Sequence, residues 1–194
     1  MQTQTWILAS QSPRRARLLA EAYIDFEPIN PPFNDPPNPK DTGDTPQDIA
    51  IQLSHQKALS VQDIYPSRPI IAADTLIIQP DGSLAGTPTS AIEAQTMIQQ
   101  MLNQTHQVVT GVTLLQHLPQ DNVFFADTAQ VTLGNISDSD LQAYLDTGLW
   151  QGKAGGYNLF ERQKARWPIT VKGDPTTVVG LPMTQLLKHL RPNP

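Results

Sequence analysis

Residues 70–78, Ile-Ile-Ala-Ala-Asp-Thr-Leu-Ile-Ile, form an apolar run broken by one acid, and this run constrains the fold more than any other stretch of the chain. It is short and rich in β-branched residues, and a turn signal follows at Asp81-Gly82, so it reads as a buried strand. Strand-like and helix-like segments alternate around it. Residues 5–9 read as a strand, followed by a helix capped by Ser12 with Pro13 at its first position. A strand is expected over 23–29, and Thr45-Pro46-Gln47-Asp48 starts a helix carrying Ile49, Leu53, Lys57 and Leu59. Ser90 caps a helix with Ala94, Ile98 and Met101 on one face, and strands follow over 107–115 and 123–133. Ser137 opens a further helix, residues 169–171 read as a strand, and residues 182–190 as the last helix. The alternation defines an α/β protein.

The 194 residues suit one domain, with no convincing internal repeat or linker. Seven of the 18 prolines fall between Pro28 and Pro46, a connection long enough to be a functional loop or lid. With no membrane span or secretory leader in the pattern, a cytoplasmic protein is expected. The absence of cysteine excludes disulfides, thiolate metal sites and a cysteine nucleophile. Four widely spaced histidines give no zinc-binding pattern, and a net charge of −5 argues against bulk nucleic-acid binding while leaving room for one local basic pocket.

Arg14 and Arg15 occupy the first turn of the first helix, the end that the macrodipole makes positive. Each cation there is expected to cost ~0.3–1 kcal/mol, so removing either arginine should leave the empty protein no less stable. Small Ser10 and Ser12, free backbone N–H groups and two guanidiniums together describe a phosphate cradle; the alternative is a pair of arginines directed into water. Asp74 is costly inside an apolar strand and needs compensation, which a divalent cation would supply; it could then orient or deprotonate a water attacking phosphorus. The other reading makes Asp74 a bulge or a strand end. Lys57 and Lys153 are candidates to neutralise further phosphate charge. Gly155-Gly156-Tyr157 fits either a backbone approach to a ligand or a glycine turn beside a core tyrosine. Asp127 lacks an equally apolar frame and reads as structural.

Taken in order, several segments resemble the Maf family of nucleoside triphosphate pyrophosphatases. They are Leu8-Ala9-Ser10-Gln11-Ser12-Pro13-Arg14-Arg15, Ala72-Ala73-Asp74-Thr75, Thr105-His106 with Thr110-Gly111-Val112, Lys153-Ala154-Gly155-Gly156-Tyr157, and Val178-Val179-Gly180-Leu181-Pro182. The resemblance spans nearly the whole chain. It implies a two-lobed fold with a long, twisted mixed sheet flanked by helices, similar to the inosine triphosphate pyrophosphatases, as one domain with the nucleotide in a cleft between lobes. It also implies hydrolysis of a nucleoside triphosphate to monophosphate and pyrophosphate with Mg²⁺ or Mn²⁺. By position, Asp74 matches the catalytic, metal-binding acid. Ser10, Arg14, Arg15 and Lys57 match phosphate-binding groups, and Thr75 a position tied to substrate choice.

The chain departs from the family pattern at two places. Gly86-Thr87-Pro88 stands where Gly-Lys-Pro is frequent, and Tyr157-Asn158-Leu159-Phe160-Glu161 where thymidine- and uridine-type enzymes have Tyr-Gly-Ile-Gln-Gly. Phe160 therefore replaces a base-reading glutamine, unless a one-residue shift puts Glu161 there. Asp35 is the nearest counterpart of an acid usual in the proline-rich loop. The expectation is a pyrophosphatase of excess or non-standard nucleotides with relaxed base selectivity. A non-catalytic nucleotide-binding regulator and a phosphatase of small phosphorylated metabolites are the competing classes. The sequence leaves a homodimer open.

Overall fold

The computed structural model describes residues 5–36, 39 and 43–190. Its strands are β1 (Trp6–Ala9), β2 (Phe26–Ile29), β3 (Ile70–Ile78), β4 (Leu84–Ala85), β5 (Gln104–Leu115), β6 (Val123–Leu133) and β7 (Ile169–Lys172). The helices are α1 (Pro13–Glu21), α2 (Pro46–Gln62), α3 (Ala91–Met101), α4 (Asp138–Asp146), α5 (Leu159–Lys164), α6 (Pro175–Val179) and α7 (Met183–Leu190). Six strands follow the order β2-β1-β3-β5-β6-β7, with β4 added to β3. β1 is parallel to β2 and β3, whereas β4 on β3 and β7 on β6 are antiparallel, so the expected mixed α/β sheet is present. Part of the proline-rich segment, residues 37–38 and 40–42, lies outside the described residues.

The chain forms two compact units. The first comprises the chain up to Thr75, Val109–Asp127 and the chain from Thr176 onward; the second comprises Leu76–Val108 and Thr128–Pro175. In the first unit the period of two along the strands sorts side chains onto two cores. Leu8, Ile71, Ala73, Val112 and Leu114 face Leu18 and Leu19 of α1 and Met183 and Leu186 of α7. Ile7, Ala9, Ile70, Ala72 and Leu115 face Ala58 and Val61 of α2. Both faces are thus covered, which accounts for the absence of polar alternation in residues 70–73.

Chain order follows from this arrangement. β1 passes through α1 on one face to β2 at one side, and the chain returns through α2 on the other face to β3 at the opposite side. The β1–β3 junction is therefore a topological switch point, where open α/β sheets bind ligands beyond the carboxyl ends of their strands. α2 can lie this close because β5 carries Gly111: a Cβ there would stand 2.2 Å from the carbonyl carbon of Ala50. Beside it, the buried hydroxyls of Ser54 and Thr113 meet at 2.8 Å.

In the second unit α3 packs on α4 and on a 3-10 turn at Ala154–Gly156. Gly155 has φ 67°, and a Cβ there would meet the Ile77 side chain at 2.9 Å. The Tyr144 hydroxyl donates to the Gly156 carbonyl at 2.9 Å.

Several elements differ from the sequence expectation, among them β4 and α6, which it does not contain. β2 starts at Phe26 instead of residue 23, because Tyr23 has φ 57° and belongs to the left-handed termination of α1, with the Ile24 N–H bonded to the Leu19 carbonyl. β5 begins at Gln104, three residues early, with exposed Gln104 and Thr105 masking the strand pattern. α5 was not anticipated; its signal is Asn158, whose side chain caps the Glu161 N–H at 3.0 Å.

Substitution of Gly111 by alanine should be disruptive. The added methyl meets the backbone of α2, which cannot rotate away, so we expect a loss of ~3 kcal/mol or more, read as a melting temperature lower by ~6–12 °C. A variant melting with the wild type would show that α2 does not rest on this glycine.

Candidate active site

β3 brings the two chemical sets together through its pleat. Asp74 continues the face of Ile70 and Ala72 and meets α2, while Thr75 continues the face of Ile71 and Ala73 and meets α1. Neighbouring residues in the middle of β3, just past the point where β1 ends opposite Ala72, thus serve opposite faces of the sheet at the switch point.

On the α2 face, Asp74 is buried and its Oδ1 accepts from Lys57 Nζ. The side chains are only 11% and 14% exposed, so the partner that the sequence demanded for Asp74 is an ammonium. Lys57 Nζ also pairs with Asp35 Oδ1 at 2.8 Å and stands 5.9 Å from the Phe33 ring centre. One ammonium therefore spans a buried acid of the strand and a more exposed acid of the proline-rich loop. Both carboxylates are hard oxygen donors within reach of one point, a pair that suits a divalent cation completed by phosphate oxygens and water. Among the described residues no group of three or more acidic, histidine or cysteine side chains is arranged to hold a metal by itself.

On the α1 face, Ser12 caps the helix and its Oγ accepts from the Arg15 N–H at 3.4 Å, while the Ser12 N–H donates to Ser10 Oγ at 3.2 Å. Two of the donors expected to be free are therefore engaged. The Arg15 guanidinium folds back into the protein: Nε donates to the Gly180 carbonyl at 2.7 Å, Nη1 to Ser10 Oγ at 3.1 Å and Nη2 to Thr75 Oγ1 at 3.1 Å. Burial pulls its pKa below the ordinary value, Asp74 opposes this, Arg14 adds to it and Asp35 opposes it. Three of its five N–H groups are committed, leaving one on each terminal nitrogen for a ligand. Gly180 has φ 108°, and a Cβ there would stand 3.1 Å from Arg15 Nε, so glycine is required at this carbonyl. Arg14 has no hydrogen-bond or ion-pair partner among the described residues.

Thr75 carries the network onward. Its Oγ1 lies 2.9 Å from Thr110 Oγ1, and Thr110 donates to the Thr177 carbonyl at 2.8 Å. Thr177 Oγ1 in turn donates to Asp127 Oδ2. Sequence reading contains Thr110 and Gly180 only within family-like segments, without a role, does not contain Thr177, and gives Asp127 no link to the site. Polar residues at 110 and 113 within a buried β5 were the available signal.

Lys153 and Phe160 belong to the second unit. Lys153 is buried and donates from Nζ to Glu161 Oε2, so its charge already has a partner. Glu161 is thereby engaged, and Phe160 beside it is 45% exposed. Tyr157 fits the core-tyrosine reading: its ring lies against His106 and Trp167, and its hydroxyl is 3.3 Å from His106 Nε2. Burial pushes the His106 pKa down to about 4 and the Tyr157 phenol up. Thr87 is exposed. A cavity of about 470 Å³ opens beside α4, lined among others by Tyr144, Arg162, Arg166 and Trp167, and includes none of the residues around Asp74.

An α/β sheet with an acid–lysine pair and an arginine-bearing helix start at its switch point defines a protein suited to phosphate esters or anhydrides. The profile of the family described as Maf-like protein matches residues 5–193, and the chain belongs to that family. It is 34% identical over 197 residues to the dTTP/UTP pyrophosphatase of Shouchella clausii, covering 97% of this chain and 98% of that one. It is also 34% identical over 187 residues to the dTTP/UTP pyrophosphatase of Koribacter versatilis, covering 95% and 92%. Among solved structures, that of the Staphylococcus aureus Ham1 protein is a distant likeness, with TM-score 0.46 and 14% identity over 67% of this chain and 72% of that one.

The two arginines should separate on substitution. Arg15→Ala strands Ser10, Thr75 and the Gly180 carbonyl and should destabilise the empty protein by ~2–3 kcal/mol, about 5–10 °C in melting temperature. This reverses the sequence expectation for Arg15 because its guanidinium answers internal acceptors. Arg14→Ala should stay within ~0.5 kcal/mol of wild type while weakening triphosphate more than monophosphate binding. Equal melting temperatures for the two variants would contradict the bonding described.

Proposed function

We propose that this protein hydrolyses nucleoside triphosphates to nucleoside monophosphate and pyrophosphate. The observation that carries the reading is the middle of β3, where an acid held by Lys57 and a hydroxyl held by Arg15 are consecutive residues. The names of the curated relatives support the reaction, since both are dTTP/UTP pyrophosphatases.

In this reading Arg14, the remaining N–H groups of Arg15 and the start of α1 hold the phosphate tail. Lys57 fixes one oxygen of Asp74, and the other orients a water toward the α-phosphorus. The water oxygen forms a bond to that phosphorus as the bond to the bridging oxygen breaks. Pyrophosphate leaves with the bridging oxygen, and the water's proton passes to Asp74 or solvent. Asp74 and Asp35 are the residues that would hold Mg²⁺ or Mn²⁺, which would supply charge neutralisation for the phosphates and acidify the water. Ser10 and Thr75 act through Arg15, and the family resemblance ties Thr75 to substrate choice. Lys153 bears on the phosphates only if a ligand draws it from Glu161. Phe160 offers an apolar face where a glutamine would hydrogen-bond, so we assign broad base selectivity, suited to clearing excess or non-standard nucleotides in the cytoplasm. Among the described residues no helix is long and apolar enough to cross a membrane.

Standard and modified triphosphates incubated with Mg²⁺ or Mn²⁺ should yield pyrophosphate. Orthophosphate alone, or tight binding without product, would replace this reading with a phosphatase or a regulator. Asp74→Asn keeps an acceptor for Lys57 and should lower turnover by ~10²-fold or more with the fold retained. A purified variant with most of its activity would remove Asp74 from the reaction.

For selectivity, the wild type should show no strict preference for dTTP and UTP, and Phe160→Gln should move the profile toward them. Sharp dTTP/UTP specificity untouched by that change would place base reading elsewhere.

A further inference from the structure

Arg15 is held by a directional chain of hydrogen bonds that reaches Asp127, and this chain has a consequence for the reaction. Thr110 spends its only proton on the Thr177 carbonyl, so the proton between Thr75 and Thr110 must come from Thr75. Thr75 Oγ1 is then left as an acceptor, which is what Arg15 Nη2 requires. At the far end, Thr177 donates its own hydroxyl to the Asp127 carboxylate. Thr110 and Thr177 are fully buried, so water does not substitute for a missing link.

Asp127 anchors more than one bond. Thr177 lies within α6, and Gly180 follows that helix directly. The segment tied down by Asp127 thus delivers two backbone carbonyls, Thr177 to Thr110 and Gly180 to Arg15 Nε. The carboxylate on β6 fixes the acceptor that sets the direction of the threonine relay, and it fixes the carbonyl that orients the guanidinium. A free-swinging Arg15 would lose rotamer freedom each time it bound a phosphate; a pre-oriented one does not.

Resting on the pyrophosphatase reading above, we propose that Asp127 is a positioning residue for phosphate-tail binding, acting through Thr177, Thr110 and Gly180 on Arg15. It touches no substrate. Its effect belongs in KM for triphosphate and in affinity for inorganic pyrophosphate, with little change in kcat.

The test uses the full chain and compares Asp127→Ala, Asp127→Asn and Thr110→Val with wild type. Wild-type activity on the triphosphate panel is measured first, and absence of pyrophosphate release there would sink the functional reading alone. Exchange of the Arg15 Nε–H, followed by NMR in the ligand-free protein, tests the relay whatever the activity. Asp127→Ala and Thr110→Val should each speed that exchange and raise KM and the Kd for pyrophosphate by ~10-fold, with the double variant little worse than either single one. Asp127→Asn keeps an acceptor for Thr177 and should restore most of both readouts.

Unchanged Arg15 exchange in folded Asp127→Ala would overturn the proposal, as would multiplying effects in the double variant or a loss confined to kcat. If Asp127→Ala does not fold, Thr110→Val and Asp127→Asn decide: wild-type exchange and KM in Thr110→Val overturns the relay, and its loss there with retention in Asp127→Asn supports it.

Discussion

The pairing of Asp74 with Lys57 is the constraint around which the first unit is arranged. A carboxylate in a strand covered on both faces is tolerable only if a cation reaches it, and removing one partner of such a pair generally costs ~3–5 kcal/mol. The cation comes from α2, so that helix must lie against β5 closely enough for Lys57 to reach past it, and a residue without a side chain at position 111 permits the approach. Ion pairs of this kind add little net stability compared with apolar packing. Retaining one here makes better sense as chemistry than as reinforcement, since it keeps a charged oxygen at the mouth of an otherwise apolar sheet.

The charges around β3 fall short of what a triphosphate would need. Arg15 and Lys57 lie near Asp74 and Asp35, and Arg14 beside Arg15 leaves this region one net positive charge. A triphosphate brings more negative charge than that. Lys153 is matched by Glu161, and Thr87 stands where relatives of this family often carry lysine. A hard dication held by one or two carboxylates and the phosphates themselves would close the difference without another protein cation.

Much of this was legible in the sequence where local rules decide. Ser12-Pro13 marked the start of α1, Thr45-Pro46 with Asp48 marked α2 by a reciprocal cap, and the run at 70–78 marked the central strand with its anomalous acid. What escaped depends on long-range contact. Nothing local says that Lys57 pairs with Asp74, because the pair joins a helix to a strand across a face defined only by the sheet. The same holds for Arg15: a helix-end argument weighs the dipole and does not contain Gly180, 165 residues away, whose carbonyl accepts from the guanidinium. The short α5 carries one local signal, the cap Asn158, and its six residues are too few to show a helical period.

That contrast bears on how Arg14 and Arg15 divide one task. Adjacent arginines on a helix point about 100° apart, so one can turn inward to the sheet while the other stays outside. Arg15 gives up part of its donor set to the protein and gains a fixed orientation; Arg14 keeps its donors and its rotamer freedom. Fixed donors favour ligands of one geometry, whereas a mobile one tolerates variation in how the phosphate tail enters. A site that accepts many bases but one kind of anhydride would need both properties, with rigidity where the tail is held and no demanding hydrogen bond at the base. The inward turn of Arg15 supplies the first of those properties.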